Sequence, residues 1–437
     1  MVEDNDSFRP EFKSAIDSIA NILATLRIHH ANKHVPLLVM SATFRRREQK
    51  MFAKMIKMKP TLVIWGPMDR RNIKIEVRID GNSTCGLEET LRRLLKEETG
   101  EGQFIVNTSS AAAAEGRIYD MVDSILDNSH VHSAREVVAL TGNMGIMYKT
   151  FLMKSFCNSD GGEHDDFPNI AVKNCTAAAN CGVSSPNCIA ALRHGSASTI
   201  EDFYQELGRV DREYNTTSNL CGYYLHFDFR SIIYKFTQIF AEPNALVRKR
   251  KERYFLRVLR MTLLPTQCYH TAMEEYLENP QTFHDRGGCG HCPYCLGDYK
   301  QFTDTIDRRF VACTLQVKLS TVQEPVLASD VIKFLTDAAN KNEMKRRIWT
   351  ESGKSKSPGK VHALALQLLA AGFLRLVVKD QSKIGKNDLS QKDIHVQIGT
   401  VLQQDAENMI EECAFNFHSL WEPFNYDRQR WEARLLS

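Results

Sequence analysis

Four cysteines carry the most specific chemistry in this chain: Cys268, then Cys289-Gly-His-Cys292-Pro-Tyr-Cys295. A thiolate at every third residue, on a turn containing Gly290 and Pro293, lets three sulfurs converge on one ion, and Cys268 can complete a tetrahedron from a preceding helix. That spacing suits zinc and fits disulfides badly. Three thiols so close cannot all pair with one another, and no secretory leader points to an oxidising compartment. His270, His284 and His291 lie nearby and leave the fourth ligand open; Cys268 is the softer match to a thiolate site. A centre of this kind staples a small domain and performs no catalysis.

A second constellation is Gln205-Glu-Leu-Gly-Arg209-Val-Asp-Arg212. On a helix, Gln205, Arg209 and Arg212 stand at i, i+4 and i+7 and share one face. Two planar guanidiniums there can grip phosphate oxygens. The competing reading is a solvated face paired to Glu206, Asp211 and Glu213. A basic run containing Arg248, Lys249 and Arg250, and two lysines at a hairpin tip, Lys383 and Lys386, are further candidates for phosphate contact. By contrast, Gly353-Lys-Ser-Lys-Ser-Pro-Gly359-Lys360 is no phosphate-binding loop: five residues separate its glycines, and Val361 follows the lysine.

The elements that must position these groups read as α/β. At 437 residues the chain holds roughly three domains. A helix with Ile16, Ile19, Ile22, Leu23 and Leu26 at helical spacing precedes a short apolar strand, Val35 to Met40, ending in Ser41-Ala42-Thr43. From about 68 to 230, strands at 103–107, 136–141, 169–174, 188–194 and 221–227 alternate with helices near 110–127, 145–157 and 198–212. That alternation predicts a parallel sheet covered on both faces, with its chemistry at the carboxyl ends of the strands. Residues 231–267 read as helical. Beyond the cysteines, a helix capped at Ser329-Asp330, a second from Val361 to Ala371 stopped by Gly372, and strands at 373–378 and 394–398 suggest a winged helix.

Net charge is only +3, so nucleic-acid contact requires local clustering of Lys and Arg. Twelve cysteines fit a reducing interior. The most apolar stretch, Val361 to Val378, is broken by Gln367, Gly372 and Arg375, so no membrane span is expected and the protein reads as soluble and intracellular.

Taken in order, these pieces resemble the RecQ family of ATP-dependent DNA helicases over roughly residues 7 to 400. Phe8-Arg9-Pro10-Glu11-Phe12 is similar to the segment after the family's aromatic-rich loop. Ser41-Ala42-Thr43 resembles helicase motif III, Gly182-Val-Ser-Ser-Pro186-Asn187 motif V and Gln205 to Arg212 motif VI, while Cys268, Cys289, Cys292 and Cys295 match the family's zinc cysteines. The resemblance implies a remnant of the first RecA-like domain at 1–67, a second RecA-like domain at 68–230, a helical zinc-binding domain at 231–312, a winged helix at 313–410 and a tail at 411–437. It further implies 3′ to 5′ helicase activity on DNA in repair or recombination, in the nucleus. Arg209 and Arg212 would act as fingers, Gln205 would couple nucleotide state to DNA, and Ser41 and Thr43 would link the motor halves.

The departures bear on activity. The sequence contains no phosphate-binding loop and no DExH pair, so ATP and Mg²⁺ are implied only if a separate motor half supplies them. Ser184 stands where the family has aspartate, and Asp211 where it has glycine; Asp211 can pair with Arg209 or Arg212 and draw a finger away. The hairpin tip, Lys379 to Asp393, lacks the aromatic that some members use to separate strands. The alternative function is a zinc-stapled, winged-helix DNA-binding protein without turnover.

Overall fold

A computed structural model describes residues 10–29, 38–40, 43, 45–56, 64, 70–97, 102–128, 136–157, 170–176, 185, 187–211, 221–277, 288–297, 326–340 and 358–398. Its centre is a six-stranded parallel sheet. The strands are β1 (Lys74–Ile79), β2 (Gln103–Thr108), β3 (Glu136–Leu140), β4 (Ile170–Thr176), β5 (Cys188–His194) and β6 (Gly222–Phe227), in the order β1-β6-β5-β2-β4-β3. In the middle of the sheet, Val106 pairs with Asn174 on one side and Leu192 on the other. Strands β2 and β6 are buried along their whole length, as expected where helices cover both faces.

The helices α1 (Pro10–His29), α2 (Arg46–Met55), α3 (Ser83–Glu97), α4 (Ala111–Glu115), α5 (Arg117–Asp127), α6 (Ile146–Cys157) and α7 (Ile200–Leu207) surround or precede it. Each covering helix turns its apolar stripe to the strands: α3 buries Leu87, Leu91, Leu94 and Leu95, and α5 buries Ile118, Val122, Ile125 and Leu126. The α/β fold class therefore holds. Within 68–230 the apolar pattern predicts no strand before 103, yet β1 pairs with β6 from Lys74↔Gly222 to Ile79↔Phe227. As an edge strand it buries only Ile75 and Ile79 fully and leaves Lys74, Glu76 and Arg78 half exposed, which weakens its apolar signature.

The strand read over residues 35–40 is a correction. Its described part, Leu38, Val39 and Met40, is not extended into a sheet, and the three side chains are 79%, 38% and 82% exposed. A strand needs a partner to satisfy its backbone, and none lies beside these residues among those described.

Beyond the sheet, α8 (Phe229–Phe240) and α9 (Ala245–Leu263) pack through an edge-to-face pair, Phe236 on Phe255, with centroids 5.4 Å apart. Asp228 caps α8, its carboxylate accepting from the Ser231 amide at 2.7 Å. Short helices α10 (Tyr269–Tyr276) and α11 (Pro293–Leu296) follow. The last described part is a three-stranded sheet, β7 (Val326–Leu327), β8 (Leu374–Val378) and β9 (Ile394–Ile398), ordered β7-β9-β8, with α12 (Ala328–Asn340) and α13 (Pro358–Ala370). Helix α12 starts at Ala328, one residue before the Ser329 expected to cap it. Gly372, with φ +83°, closes the turn after α13.

This last part is bolted on. Arg260 of α9 donates to the final carbonyl of α13, Ala370 O, at 2.8 Å, and the Phe229 amide donates to His362 Nδ1 at 3.0 Å. The hairpin tip folds back as well: the Gly385 amide donates to Phe240 O at 2.9 Å, where a Cβ on Gly385 would stand 3.0 Å from Pro243. One apolar cluster runs without a break from Ile73 to Val396. No helix among the described residues is long and apolar enough to cross a membrane.

Candidate functional site

The cysteine centre is assembled mostly by local backbone geometry. Gly290 adopts φ +81°, a left-handed conformation that a side chain resists. Cys292 caps α11 and Pro293 fills its first position, where the missing N–H costs nothing. Gly288 is required by space, since a Cβ there would lie 2.3 Å from Cys295 Sγ. Cys268 arrives from the other side as the residue capping α10.

Together, Cys268, Cys289, Cys292 and Cys295 place their sulfurs within 4.8 Å of one another. Cys292 and Cys268 stand 3.9 Å apart, Cys289 and Cys295 4.0 Å. A disulfide would need about 2.05 Å. Tetrahedral thiolates around an ion at about 2.3 Å lie roughly 3.8 Å apart, so the donor set fits a single ion of zinc's size. All four are free cysteines, Cys268 and Cys292 buried and the other two half-buried. His270 and His291 form a second group with Cys289; His284 lies outside the described residues.

The α7 face is assembled from far apart. Thr199 caps the helix, accepting from the Asp202 amide at 3.0 Å. Its inner side is fixed by Glu206, which takes an ion pair from Arg193 on β5 and a 2.6 Å hydrogen bond from the Tyr223 hydroxyl on β6. Burial pushes the Glu206 carboxyl up from its ordinary range, against the pull of Arg193. Glu206 therefore serves the sheet, in place of the surface pairing that the solvated-face reading assigned to it.

Along the outer side of α7, Glu201 and Gln205 fall at i and i+4, and Thr43 and Arg45 lie against them. Gln205 Nε2 donates to Thr43 Oγ1 at 3.4 Å. Arg45 pairs with Glu48, stands 3.5 Å from Glu201, and donates to the Tyr276 hydroxyl at 3.0 Å. Its guanidinium also sits over the rings of Tyr276 and Tyr254, at 5.1 and 5.7 Å. The Tyr276 hydroxyl in turn donates to Glu201 at 2.9 Å. One arginine thus joins the N-terminal segment, α7, α9 and α10. Nothing in the local pattern marks it, although the Glu201-Gln205 pair could have been read from its i, i+4 spacing.

Arg209 is 8% exposed and lies beyond the end of α7 at Leu207, so the helix expected to reach 212 stops short and the shared helical face does not extend from Gln205 to Arg209. Because α7 runs back against β5, this end lies beside the amino end of that strand: the Asp211 amide donates to Cys188 O at 2.9 Å. The carboxyl-end expectation therefore does not apply to Arg209. Asp211 has φ +45°, the left-handed backbone suited to the glycine that the resemblance expects there. Its carboxylate accepts from Asn72 Nδ2 at 2.9 Å, and Arg70 donates to its carbonyl at 3.1 Å. Arg212, Ser41 and Gly182–Ser184 lie outside the described residues.

Deeper in the sheet, Lys173 is fully buried over the Phe156 ring, 4.7 Å from its centroid, and burial lowers its pKa from the usual lysine range. Of the candidate phosphate contacts, Lys383 pairs with Asp393 at 2.6 Å, and Arg248 donates to Glu242 O at 2.7 Å, while Lys249 and Lys386 are exposed. Arg250 is half-buried on the same helix.

No family model matches the chain. A stretch of 191 residues, 44% of the chain, is 23% identical to the ATP-dependent helicase wrn-1 of Caenorhabditis elegans. The match spans 16% of that relative's length. Among solved structures, the DEAD-box helicase Mss116 bound to ssRNA and UDP-BeF is similar at a TM-score of 0.37 and 15% identity, over 76% of this chain and 62% of that one. The DUF1998 helicase MrfA bound to DNA and AMPPNP is similar at 0.38 and 12%, over 62% and 39%. At such TM-scores the architecture rests on the strand order given above. Over those 191 residues the chain is similar to a helicase, and it spans about a sixth of that relative's length.

Proposed function

We propose that this chain is the carboxyl-terminal part of a RecQ-like, ATP-dependent 3′ to 5′ DNA helicase, acting in DNA repair or recombination in the nucleus. The observation that carries this reading is the Gln205–Thr43 hydrogen bond, which joins the segments resembling motifs VI and III across 162 residues. In this role Gln205 and Thr43 couple two motor halves. Arg209, with Arg212, faces the nucleotide of a first motor domain. The four cysteines hold zinc, which supplies structural crosslinking and no chemistry, and so fix the helical module to the sheet. The terminal helices and hairpin act as a winged helix on duplex DNA, with Lys386 at its hairpin tip and Lys249 on α9 as exposed phosphate contacts.

The 437 residues contain neither a phosphate-binding loop nor a DExH carboxylate pair. These residues do not fit ATP and Mg²⁺ on their own, and no hydrolytic step is assigned to them. That observation favours a second reading, a DNA-binding protein without turnover. Measuring DNA-stimulated ATPase activity tests both. The chain alone is expected to show none, and the chain joined to a first motor domain is expected to gain it, with a loss of about 10³-fold or more in Arg209→Ala. Turnover by the chain alone would refute the incomplete site. DNA affinity that is flat between low and moderate salt would refute both readings.

A further inference from the structure

The β1 edge of the parallel sheet opens onto a groove. In the ladder between β1 and β6, the Lys74 amide donates to Cys221 O at 3.0 Å and the Asp80 amide to Phe227 O at 3.3 Å. Backbone groups of a strand alternate in direction, so Lys74, Glu76 and Arg78 face β6, while Ile75, Val77 and Ile79 point their N–H and C=O groups the other way. His270 meets this outer row at its start, with Nε2 3.1 Å from Ile73 O. Beyond Ile73, no strand among the described residues takes the rest.

Beside that row lies a cavity of about 410 Å³, bounded by the whole of β1, by Leu263 of α9, by Pro293 and Leu296 of α11 and by Gln367 of α13. Gln367 is 2% exposed; its Nε2 reaches Leu263 O at 3.5 Å, and its Oε1 is buried with no hydrogen-bond partner among the described residues. Buried polar groups left unpaired are costly. A row of amide donors and carbonyl acceptors repeating every second residue, with one more acceptor across the cavity, matches an extended polypeptide backbone.

Side chains narrow the choice. Leu296, 51% exposed, offers an apolar surface. Along β1, Glu76 is held by Lys74 at 3.0 Å and by Arg78 at 2.7 Å, and with Asp80 the four charges cancel, so nothing there selects a charged partner. We propose that the groove takes an extended segment of a partner protein as an added strand, bonded to Ile75, Val77 and Ile79 and alternating apolar with uncharged polar side chains. A second copy of this chain does not fit. Ile75 is 1% exposed, so the edge is recessed, and two equally recessed edges cannot meet.

Selection from a displayed library of random short peptides against the full-length chain, followed by affinity and amide-exchange measurements with a selected peptide, tests this. Selected peptides should alternate apolar and polar residues and slow exchange at Val77. Methylating the peptide's backbone nitrogens that face β1 should weaken binding about tenfold or more, whereas methylating the intervening ones should not. Val77→Pro removes one outward N–H without touching the β6 ladder, a change that edge strands tolerate, and should weaken binding by as much. Leu296→Glu, at an exposed position, should weaken it too and, with the methylated peptides, decides the matter even if Val77→Pro folds poorly. A library that yields no binder, peptides that bind both variants as well as the unsubstituted chain, or indifference to the methylation pattern overturns the proposal. So does slow exchange at Val77 in the free monomer, which would put the chain's own residues on the edge, or dimerisation abolished by Val77→Pro, which would put a second copy there.

Discussion

The cysteine centre and the α7 face are built in opposite ways. At the centre, three of the four sulfurs come from one short stretch, Cys289 to Cys295, and Gly290 and Pro293 shape the turn before any distant residue arrives. On α7, the groups that fix the helix come from β5, β6 and a segment more than 150 residues upstream. Locally encoded sites depend on what is bound in them, because a short turn closes the ligands together with little help from distant residues. Distantly encoded sites depend on burial, because only a finished core can hold their partners in place.

If that contrast is right, substitutions should act differently at the two places. The largest effect is expected from Cys292→Ser, at a buried sulfur. It should abolish metal retention and strip α10 and α11 of their crosslink, since structural zinc sites contribute apparent binding energies of about 10–16 kcal/mol. Metal content and the thermal unfolding midpoint report it, and a chelator should reproduce the loss in the unsubstituted chain. Retained metal with an unchanged midpoint would remove the distinction.

Next in size is Glu206→Gln, which leaves the Arg193 guanidinium buried without its counter-charge. Breaking such a pair from one side costs about 3–5 kcal/mol, and chelation should not add to it. Denaturant unfolding of the single variant, with and without chelator, measures both quantities; a loss below 1 kcal/mol would show that the pair does not hold α7.

The smallest is Arg45→Ala. It removes two ring contacts and the hydrogen bond to Tyr276, about 2 kcal/mol together, and leaves the sheet intact. The expected result is faster amide exchange confined to residues 45–56, with the global unfolding midpoint nearly unchanged. Global loss instead would mean that the N-terminal segment belongs to the core.

Periodicity made the inner sheet legible. Strands β2, β4, β5 and β6 are buried along nearly their whole length, and the expected spans at 103–107 and 188–194 differ from the observed strands by a residue at most. It failed at β1, where Lys74, Glu76 and Arg78 alternate with Ile75 and Val77 on an edge that is buried on one side only. It also failed at Leu38 to Met40, because an apolar run says that a segment suits a sheet but not that a sheet is there to receive it. For the candidate sites, the cysteines were readable because their donors are neighbours in the chain. Arg45, Tyr276 and Arg193 were not, since each acquires its role only from a residue far away in sequence.

What the sequence determined by itself was therefore the chemistry whose geometry is short-range: a turn that brings thiolates together, and a helix that puts Glu201 and Gln205 on one side. Tertiary structure alone decided where those groups look. It set Gln205 against Thr43, turned Glu206 inward to Arg193, moved Arg209 to the amino end of β5 and tied Lys383 to Asp393. The reason is physical. A residue's type and its near neighbours fix which bonds it can make, whereas which of them is made depends on what burial has already excluded from water.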